Sequence, residues 1–395
     1  MRLGGLPPEL FHSISKDIDE DDPTTIFTLR LVSKSVNSVV SPLAFRVLVV
    51  NDSVRSAAGL SLLQGCDESV KSLVHEVIFR GDPQGTDPEW RNETSGAEGR
   101  NALKAAFAGL ANFPNLKKLR LDFHSCYQEE PETTEDGLEL ATSPSHFLLL
   151  QQDIFAGLAA TSLSLDSLTL NHLLAFPSDL YLQEDFYPIF RPLQVLDISV
   201  LSDGNYEGAW YAFEPINNFW EQSVAQMVRS AVSLTALTIR SDQPVGSCPA
   251  LSFADSFLPK LTSLSLHNFT LDPHSPDRDV VEFILRHKNT LAHLELHGCS
   301  IDGGEGGDFP RPWHVVLTLF AAELGCLRTF VFKNVEERDL VFEIEEEPDP
   351  GPRFRYTSLN VGWGSAPWEG QVNGEHQDLP ALESLMAVVK SRHGD

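Results

Sequence analysis

The sequence predicts an α/β solenoid in which short parallel strands alternate with helices, behind a small N-terminal unit of three helices. Three observations lead to this prediction. An apolar-x-x-apolar-x-apolar pattern recurs along residues 46–395, helical spacing separates many of its copies, and one five-residue word occurs twice. A single strand and helix of this size cannot bury their apolar faces alone, so neighbouring units must stack to form a core.

Residues 1–45 are expected to form the three helices. Pro7-Pro8 stands where a helix can begin, because the N–H groups of a first turn lack intrahelical partners in any case. Leu10, Ile14 and Ile18 then recur at four-residue steps, which is typical of one helix face. Two further helices are marked by Ile26, Leu29 and Val32, and by Val36, Val39 and Val40, the last of them ending at Pro42.

This N-terminal segment resembles the F-box, whose members bind the Skp adaptor of cullin-RING ubiquitin ligases. The resemblance rests on Leu6-Pro7-x-Glu9-Leu10 followed by Leu29-Arg30-Leu31-Val32-Ser33-Lys34, although Val36 stands where the family often has an aromatic residue. It implies an F-box domain over residues 1–45 whose adaptor-binding residues are Leu6, Pro7, Glu9, Leu10, Ile14, Leu29, Val32 and Ser33. The alternative is an ordinary helical cap on the domain that follows.

The repeat is carried by clear copies of the apolar triplet. These are Leu116/Leu119/Leu121, Leu165/Leu168/Leu170, Leu193/Leu196/Ile198, Leu234/Leu237/Ile239, Leu261/Leu264/Leu266, Leu291/Leu294/Leu296 and Leu327/Phe330/Phe332. Residues 291–301 resemble a complete leucine-rich repeat, with Cys299 at its inward turn position. The word Phe-Ala-Gly-Leu-Ala, found at residues 107–111 and again at 155–159, is further sign of duplication.

The spacing of these triplets predicts an irregular, leucine-rich-repeat-like horseshoe with parallel strands over residues 46–395. Successive central positions lie between 27 residues (Leu237 to Leu264) and 49 residues (Leu119 to Leu168) apart, which indicates long insertions. A C-terminal capping helix is expected through Leu382, Leu385, Met386 and Val389. An F-box followed by such repeats is similar to an arrangement common in fungal F-box proteins.

The positions between the leucines of each strand should line one face of the sheet, because alternate side chains of a strand point in opposite directions. Basic and histidine side chains stand out there on an otherwise acidic protein. A target with an acidic or phosphorylated segment would pair with such a face, and the alternative is a merely solvated sheet surface. The candidate target-binding residues are Lys118, Arg120, Arg240, His267, His293, His297 and Lys333.

The composition excludes several classes of protein. Asp and Glu number 56 against 29 Lys and Arg, which gives a formal net charge of −27 and argues against binding to nucleic acid or anionic membranes. The five cysteines are scattered and never form a Cys-x-x-Cys pair, which is untypical of disulfide frameworks and zinc modules. No signal peptide or long apolar run is evident, so we expect a soluble protein of the cytoplasm, the nucleus or both.

Enzyme activity is not expected. His293, Glu295 and His297 share one strand face with His267 one strand away, and three such ligands could meet a metal ion. However, any solvent-facing strand shows this alternation, and no His-Glu-x-x-His motif accompanies it. Residues 303–308 lack the Gly-x-Gly-x-x-Gly frame, and no Gly-x-Ser-x-Gly elbow appears. We therefore expect no catalytic residues, no metal and no cofactor.

These observations predict a non-catalytic, substrate-recognition subunit of a Skp–cullin–F-box type ubiquitin ligase. The N-terminal motif would bind the adaptor, and the repeat domain would recruit an unknown target protein. The first alternative is a leucine-rich-repeat interaction scaffold unrelated to ubiquitin. The second is a metal-dependent hydrolase centred on the histidine strand.

Overall fold

The computed structural model describes residues 28–81, 97–125, 132–134, 137–139, 146–202, 214–304, 306–333, 353–360 and 364–392. These residues form a mixed α/β fold whose strands pair mostly in parallel. The chain divides into two compact units. The first unit holds the described residues up to His124 together with Asp153–Ser167, and the second holds those from Ser125 to Gln152 and from Leu168 onward. The expected domain boundary at residue 45 stays a prediction.

The first unit is built from three parallel strands and the helices around them. Its strands pair in the order β1, β2, β3. Its elements are helix α1 (Lys34–Ala44), strand β1 (Val47–Asn51), helices α2 (Val54–Gln64) and α3 (Glu68–Lys71), strand β2 (Glu76–Arg80), helix α4 (Ala97–Ala108) and strand β3 (Lys118–Asp122). Val77 lies opposite both Leu48 and Leu119, and all three side chains are buried.

The end of α1 differs from the prediction, because the helix runs through Pro42 to Ala44. Proline lacks an N–H group and its ring crowds the carbonyl four residues before it, so it weakens the hydrogen-bond ladder at this end of the helix. Here the N–H of Phe45 still bonds the carbonyl of Ser41, and the N–H of Arg46 bonds that of Leu43. The last turn therefore closes around the proline.

Each copy of the duplicated five-residue word places a buried phenylalanine near the end of a helix. Its first copy begins in α4, and its second lies at the end of helix α5 (His146–Ala159). Phe107 and Phe155, the first residue of each copy, are buried. A Cβ atom at Gly157 would lie 2.5 Å from the carbonyl oxygen of Lys104, so the glycine allows the backbones of α4 and α5 to approach closely.

The second unit continues the alternation of strands and helices. Its strands are β6 (Ser167–Leu174), β7 (Val195–Leu201), β8 (Ala236–Val245), β9 (Ser263–Leu271), β10 (His293–His297), β11 (Ser300–Asp302), β12 (Thr329–Lys333), β13 (Arg355–Asn360) and β14 (Gly364–Pro367), and a short hairpin joins β4 (Glu132–Thr134) to β5 (Gly137–Glu139). Its helices are α6 (Glu214–Asn218), a π-helical segment Phe219–Val224, α7 (Ala225–Ser230), α8 (Val280–Arg286), α9 (Trp313–Glu323) and α10 (Asp378–Ser391).

The predicted parallel pairing is confirmed across β7, β8, β9, β10 and β12. The central apolar residues of the predicted triplets lie opposite one another and are buried: Leu196, Leu237, Leu264, Leu294 and Phe330. Among the described residues, antiparallel pairing occurs in the β4–β5 hairpin, between β13 and β14, and at an isolated bridge between Ser247 and Ala250. Stacked leucine rows therefore form the centre of this unit.

A left-handed backbone position recurs two residues after the last apolar residue of three triplets. His172, Asn268 and Gly298 have φ values of 55°, 60° and 61°. The amide of Asn268 donates a hydrogen bond to the carbonyl of Ser241 at 2.9 Å. Beyond this position β9 resumes and pairs with β11, where Thr270 lies opposite Ser300. The equivalent strands thus share a bend at equivalent places.

Helix α10 packs beside α9 near the C-terminus. Leu382, Leu385 and Val389 are buried, whereas Met386 is 50% exposed because it lies at the edge of the helix face that they form. The Asp378 carboxylate accepts hydrogen bonds from the backbone N–H of His314 at 2.8 Å and from the hydroxyl of Tyr356 at 2.7 Å. Burial raises the pKa values of Asp378 and Tyr356. These bonds hold α10 against the start of α9.

Within the part of the chain that the structure describes, no helix combines the length and the apolar character that crossing a bilayer demands.

Candidate functional site

The second unit presents a polar sheet face built from the positions between its buried leucines. On β9 and β10 the leucines at 264, 266, 294 and 296 are buried, whereas most side chains between them keep partial exposure to solvent. Period-two alternation explains this arrangement, because neighbouring residues of a strand point to opposite faces. The polar sheet face consists of Asp197, Arg240, Ser265, His267, His293, Glu295, His297 and Lys333.

The arginines predicted to bind a target already have carboxylate partners. Arg240 on β8 forms an ion pair with Asp197 on β7, at 2.5 Å between Nη1 and Oδ1. In the first unit, Nε of Arg120 lies 2.7 Å from Oδ1 of Asp122 on the same strand. A ligand would have to compete with these acids. Lys118 and Lys333 are exposed and form no ion pair with any residue that the structure describes.

The histidines predicted on β9 and β10 are brought together as one cluster. His267 and His297 lie opposite each other in the parallel register, and their rings stack with centroids 4.1 Å apart and planes within 7°. Glu295 lies between the histidines of its own strand, with Oε1 2.8 Å from Nε2 of His293 and Oε2 3.3 Å from Nε2 of His297. The hydroxyl of Ser265 donates to Oε2 of Glu295 at 2.9 Å. We call these five residues the histidine cluster.

The surroundings fix the charges of the histidine cluster. Burial, followed by the neighbouring His297 and Arg240, lowers the pKa of His267 to about 3. Burial also lowers the pKa of His297. For Glu295, burial opposes ionisation, but hydrogen bonds from His293 and Ser265 outweigh it, so the pKa is lowered. At neutral pH the cluster therefore holds neutral imidazoles at positions 267 and 297 beside an ionised carboxylate.

This arrangement has the chemistry of a ligand set for a metal ion. One ligand atom each from His267, Glu295 and His297 lies within 4.8 Å of the other two. Neutral imidazole nitrogen and carboxylate oxygen are the donors that zinc uses in three-ligand sites. The spacing of these residues matches no common metal motif, so the sequence indicated a metal ion only through the strand face that His293, Glu295 and His297 share and through His267 one strand away.

The predicted adaptor-binding residues are only partly within the described residues. Leu6, Pro7, Glu9, Leu10 and Ile14 lie outside them. Among the others, Leu29 is half-buried against Val36, Val40, Leu43 and Ala44 of α1, and Val32 is 58% exposed. The Ser33 hydroxyl caps α1 by accepting a hydrogen bond from the N–H of Val36 at 3.2 Å. Val36 is thus a buried residue of this small core.

Sequence reasoning missed three residues that belong to these surfaces. Leu31, next to Val32, is 86% exposed and was not among the adaptor-binding residues. Asp197 and Ser265 were not named as candidates, although they partner Arg240 and Glu295. The alternation of each strand already placed both polar residues on the same face. The alternation could not predict the register between strands, and the register determines which side chains contact each other.

No protein-family model matches this chain, and a search of curated proteins found no match to it.

Proposed function

We propose that this protein is the substrate-recognition subunit of a Skp–cullin–F-box type ubiquitin ligase. Its N-terminal segment binds the Skp-type adaptor, and its leucine-rich-repeat-like domain recruits a target protein in the cytoplasm, the nucleus or both. The chain itself performs no chemistry. It accelerates ubiquitin transfer by holding the target beside the catalytic subunits, which is an effect of proximity.

The observation that carries the adaptor half of the proposal is a pair of exposed apolar side chains before α1. Leu31 and Val32 point into solvent, while Leu29 packs inward and Ser33 starts the helix. Arg30 does not join this pair, because its guanidinium lies 4.2 Å from the ring centroid of Phe45, the residue that follows α1. Exposed apolar side chains that lie side by side can be covered by a partner, whereas surface apolar residues scattered singly need no explanation.

The repeated register supports the target-binding half of the proposal. In the second unit, four equivalent leucines and Phe330 lie opposite one another across five strands, and three strands of the unit have a left-handed residue at the same position. Repetition of a strand with its bend is expected of a leucine-rich-repeat solenoid, in which each unit contacts its neighbours. Such solenoids expose a broad strand face on which another protein can lie.

The adaptor half is tested by co-expression of the full chain with a Skp-type adaptor, followed by gel filtration. We expect wild type to elute as a one-to-one complex. The double variants Leu6→Ala/Pro7→Ala and Leu31→Ser/Val32→Ser should lose the adaptor. Each removes apolar surface that the complex would bury, and each Å² of buried apolar surface contributes about 25 cal/mol to the binding free energy. Circular dichroism should be unchanged, since Leu31 and Val32 are exposed.

The matched control is Leu62→Ser, which removes a leucine that is 75% exposed on α2 of the same unit. This variant should keep the complex. If a folded wild type forms no complex, or if both double variants retain it, the ubiquitin assignment is wrong. The chain would then be a leucine-rich-repeat interaction scaffold unrelated to ubiquitin.

A further inference from the structure

We infer that His267, Glu295 and His297 form a binding site for a divalent transition-metal ion, with Zn²⁺ as the ion that fits best. The inference rests on the geometry of the second unit and is independent of the proposed adaptor binding. It concerns two neighbouring parallel strands, β9 and β10, whose pairing brings the three side chains to one place.

The distances suit a small ion with tetrahedral coordination. Bonds of about 2.0–2.1 Å at tetrahedral angles place two ligand atoms on one zinc ion about 3.3 Å apart. Oε2 of Glu295 and Nε2 of His297 lie 3.3 Å apart. The ligand atom of His267 is within 4.8 Å of both, so binding of an ion would draw this imidazole toward the other two ligands. Three protein ligands leave one position open for solvent or another molecule.

The ligands are held in place by neighbours that do not bind the ion themselves. Nε2 of His293 contacts Oε1 of Glu295, and the Ser265 hydroxyl donates a hydrogen bond to Oε2, the oxygen that faces His297. The stacked rings of His267 and His297 restrict each other. Groups that orient a carboxylate or an imidazole in this way are usual around metal ligands and strengthen binding.

The charges around the cluster predict which ions bind. Arg240 and Lys333 are the cations that act on His267 from the adjoining strands, and Arg240 is paired with Asp197. Glu295 is the one carboxylate among the three proposed ligands, which is too few oxygen donors for a hard cation. Ca²⁺ and Mg²⁺ require several oxygen ligands, whereas imidazole nitrogen favours zinc and its transition-metal neighbours. The site should therefore prefer transition-metal ions over Ca²⁺ and Mg²⁺, because two of its three donors are imidazole nitrogens.

The test is calorimetric titration of the full chain, purified without a histidine tag and freed of metal by dialysis against a chelator. We expect saturable binding of Zn²⁺ and Co²⁺ at the cluster, with little response to Ca²⁺ or Mg²⁺. His267→Gln and Glu295→Gln should each remove this binding, and both change partly exposed side chains. His293→Gln should weaken it by about 10–100-fold, since His293 only orients Glu295.

The matched control is His376→Ala, which removes an exposed histidine from the turn Glu375–Gln377. It should bind Zn²⁺ as wild type does, and circular dichroism should confirm that every variant is folded. The inference is overturned if folded wild type does not bind Zn²⁺, or if His267→Gln and Glu295→Gln give the wild-type isotherm. Failure of the inference leaves adaptor binding untouched, because that test changes residues of the first unit.

Discussion

His287 is a histidine whose two ring nitrogens both have backbone partners. Nε2 accepts a hydrogen bond from the N–H of Leu258 at 3.2 Å, and Nδ1 lies 2.8 Å from the carbonyl of Phe283. The ring is buried, and burial, with a smaller effect of Arg286, lowers its pKa. One nitrogen must accept and the other must donate, so this environment fits the neutral imidazole.

We predict that His287 makes the protein less stable in acid. Its pKa is lowered in the folded state, so the unfolded state, with a pKa of about 6.5, binds the proton more readily. The free energy of unfolding should therefore fall as the pH decreases through about 6.5. The check is chemical denaturation of wild type and His287→Gln between pH 7.5 and pH 5.

The prediction concerns the difference in pH dependence between wild type and His287→Gln. Wild type alone is not sufficient, because His267 and His297 also have lowered pKa values and also make the protein less stable in acid. His287→Gln should be less stable than wild type at neutral pH by about 1–3 kcal/mol, owing to lost hydrogen bonds. Its stability should also fall less steeply with acid. Equal slopes for the two proteins would show that His287 does not titrate on unfolding.

The sequence predicted side-chain orientation far better than it predicted partners. Leu294 and Glu295 could be assigned to opposite faces from period two alone, and the structure places them so. The pairing of Arg240 with Asp197 joins residues 43 positions apart and depends on the register of two strands. The hydrogen bond that Nε2 of His287 accepts comes from a backbone N–H 29 residues upstream. Local spacing contains neither piece of information.

At the scale of elements, the shared left-handed position explains how a strand can bend and continue. Leucine spacing did not predict it, since it lies after the triplet, where three different residues, His172, Asn268 and Gly298, occupy it. A left-handed conformation brings the Cβ atom close to the following carbonyl oxygen, so it disfavours most side chains and especially branched ones. Asparagine is one of the residues that adopt it more readily.

Gly298 offers a test of this position. We predict that Gly298→Val lowers the free energy of unfolding by about 1–2 kcal/mol more than Gly298→Asn. Valine and asparagine both add bulk at this buried position, so lack of space affects both variants, whereas the positive φ favours asparagine alone. Denaturant unfolding of the two variants measures it. Equal stabilities would mean that the φ of 61° at this residue is not maintained in solution.

On the scale of the whole molecule, the stacked leucine rows make the second unit depend on each of its strands. Leu294 is fully buried between Leu264 and Phe330 of the flanking strands. We predict that Leu294→Asp destabilises the protein by at least about 3 kcal/mol, because it removes a core side chain and buries an unpaired charge. Thermal unfolding and solubility provide the measurement.

The control for this prediction is Val232→Asp, which introduces the same charge at an exposed apolar position of the second unit. It should leave the thermal midpoint within a few degrees of wild type. A midpoint unchanged in Leu294→Asp would contradict the strand register on which both the core and the polar sheet face depend.

The parallel pairing also determines where the chain tolerates insertions. Each strand of the leucine rows reaches its neighbour by a crossover, such as the one from Leu264 to Leu294, and no tight hairpin links them. The free energy of closing such a crossover rises only with the logarithm of its length, by about 0.6 kcal/mol for each doubling. New segments can therefore be inserted between strands at small cost. Insertion of a single residue inside a strand, by contrast, would turn every later side chain of that strand to the opposite face.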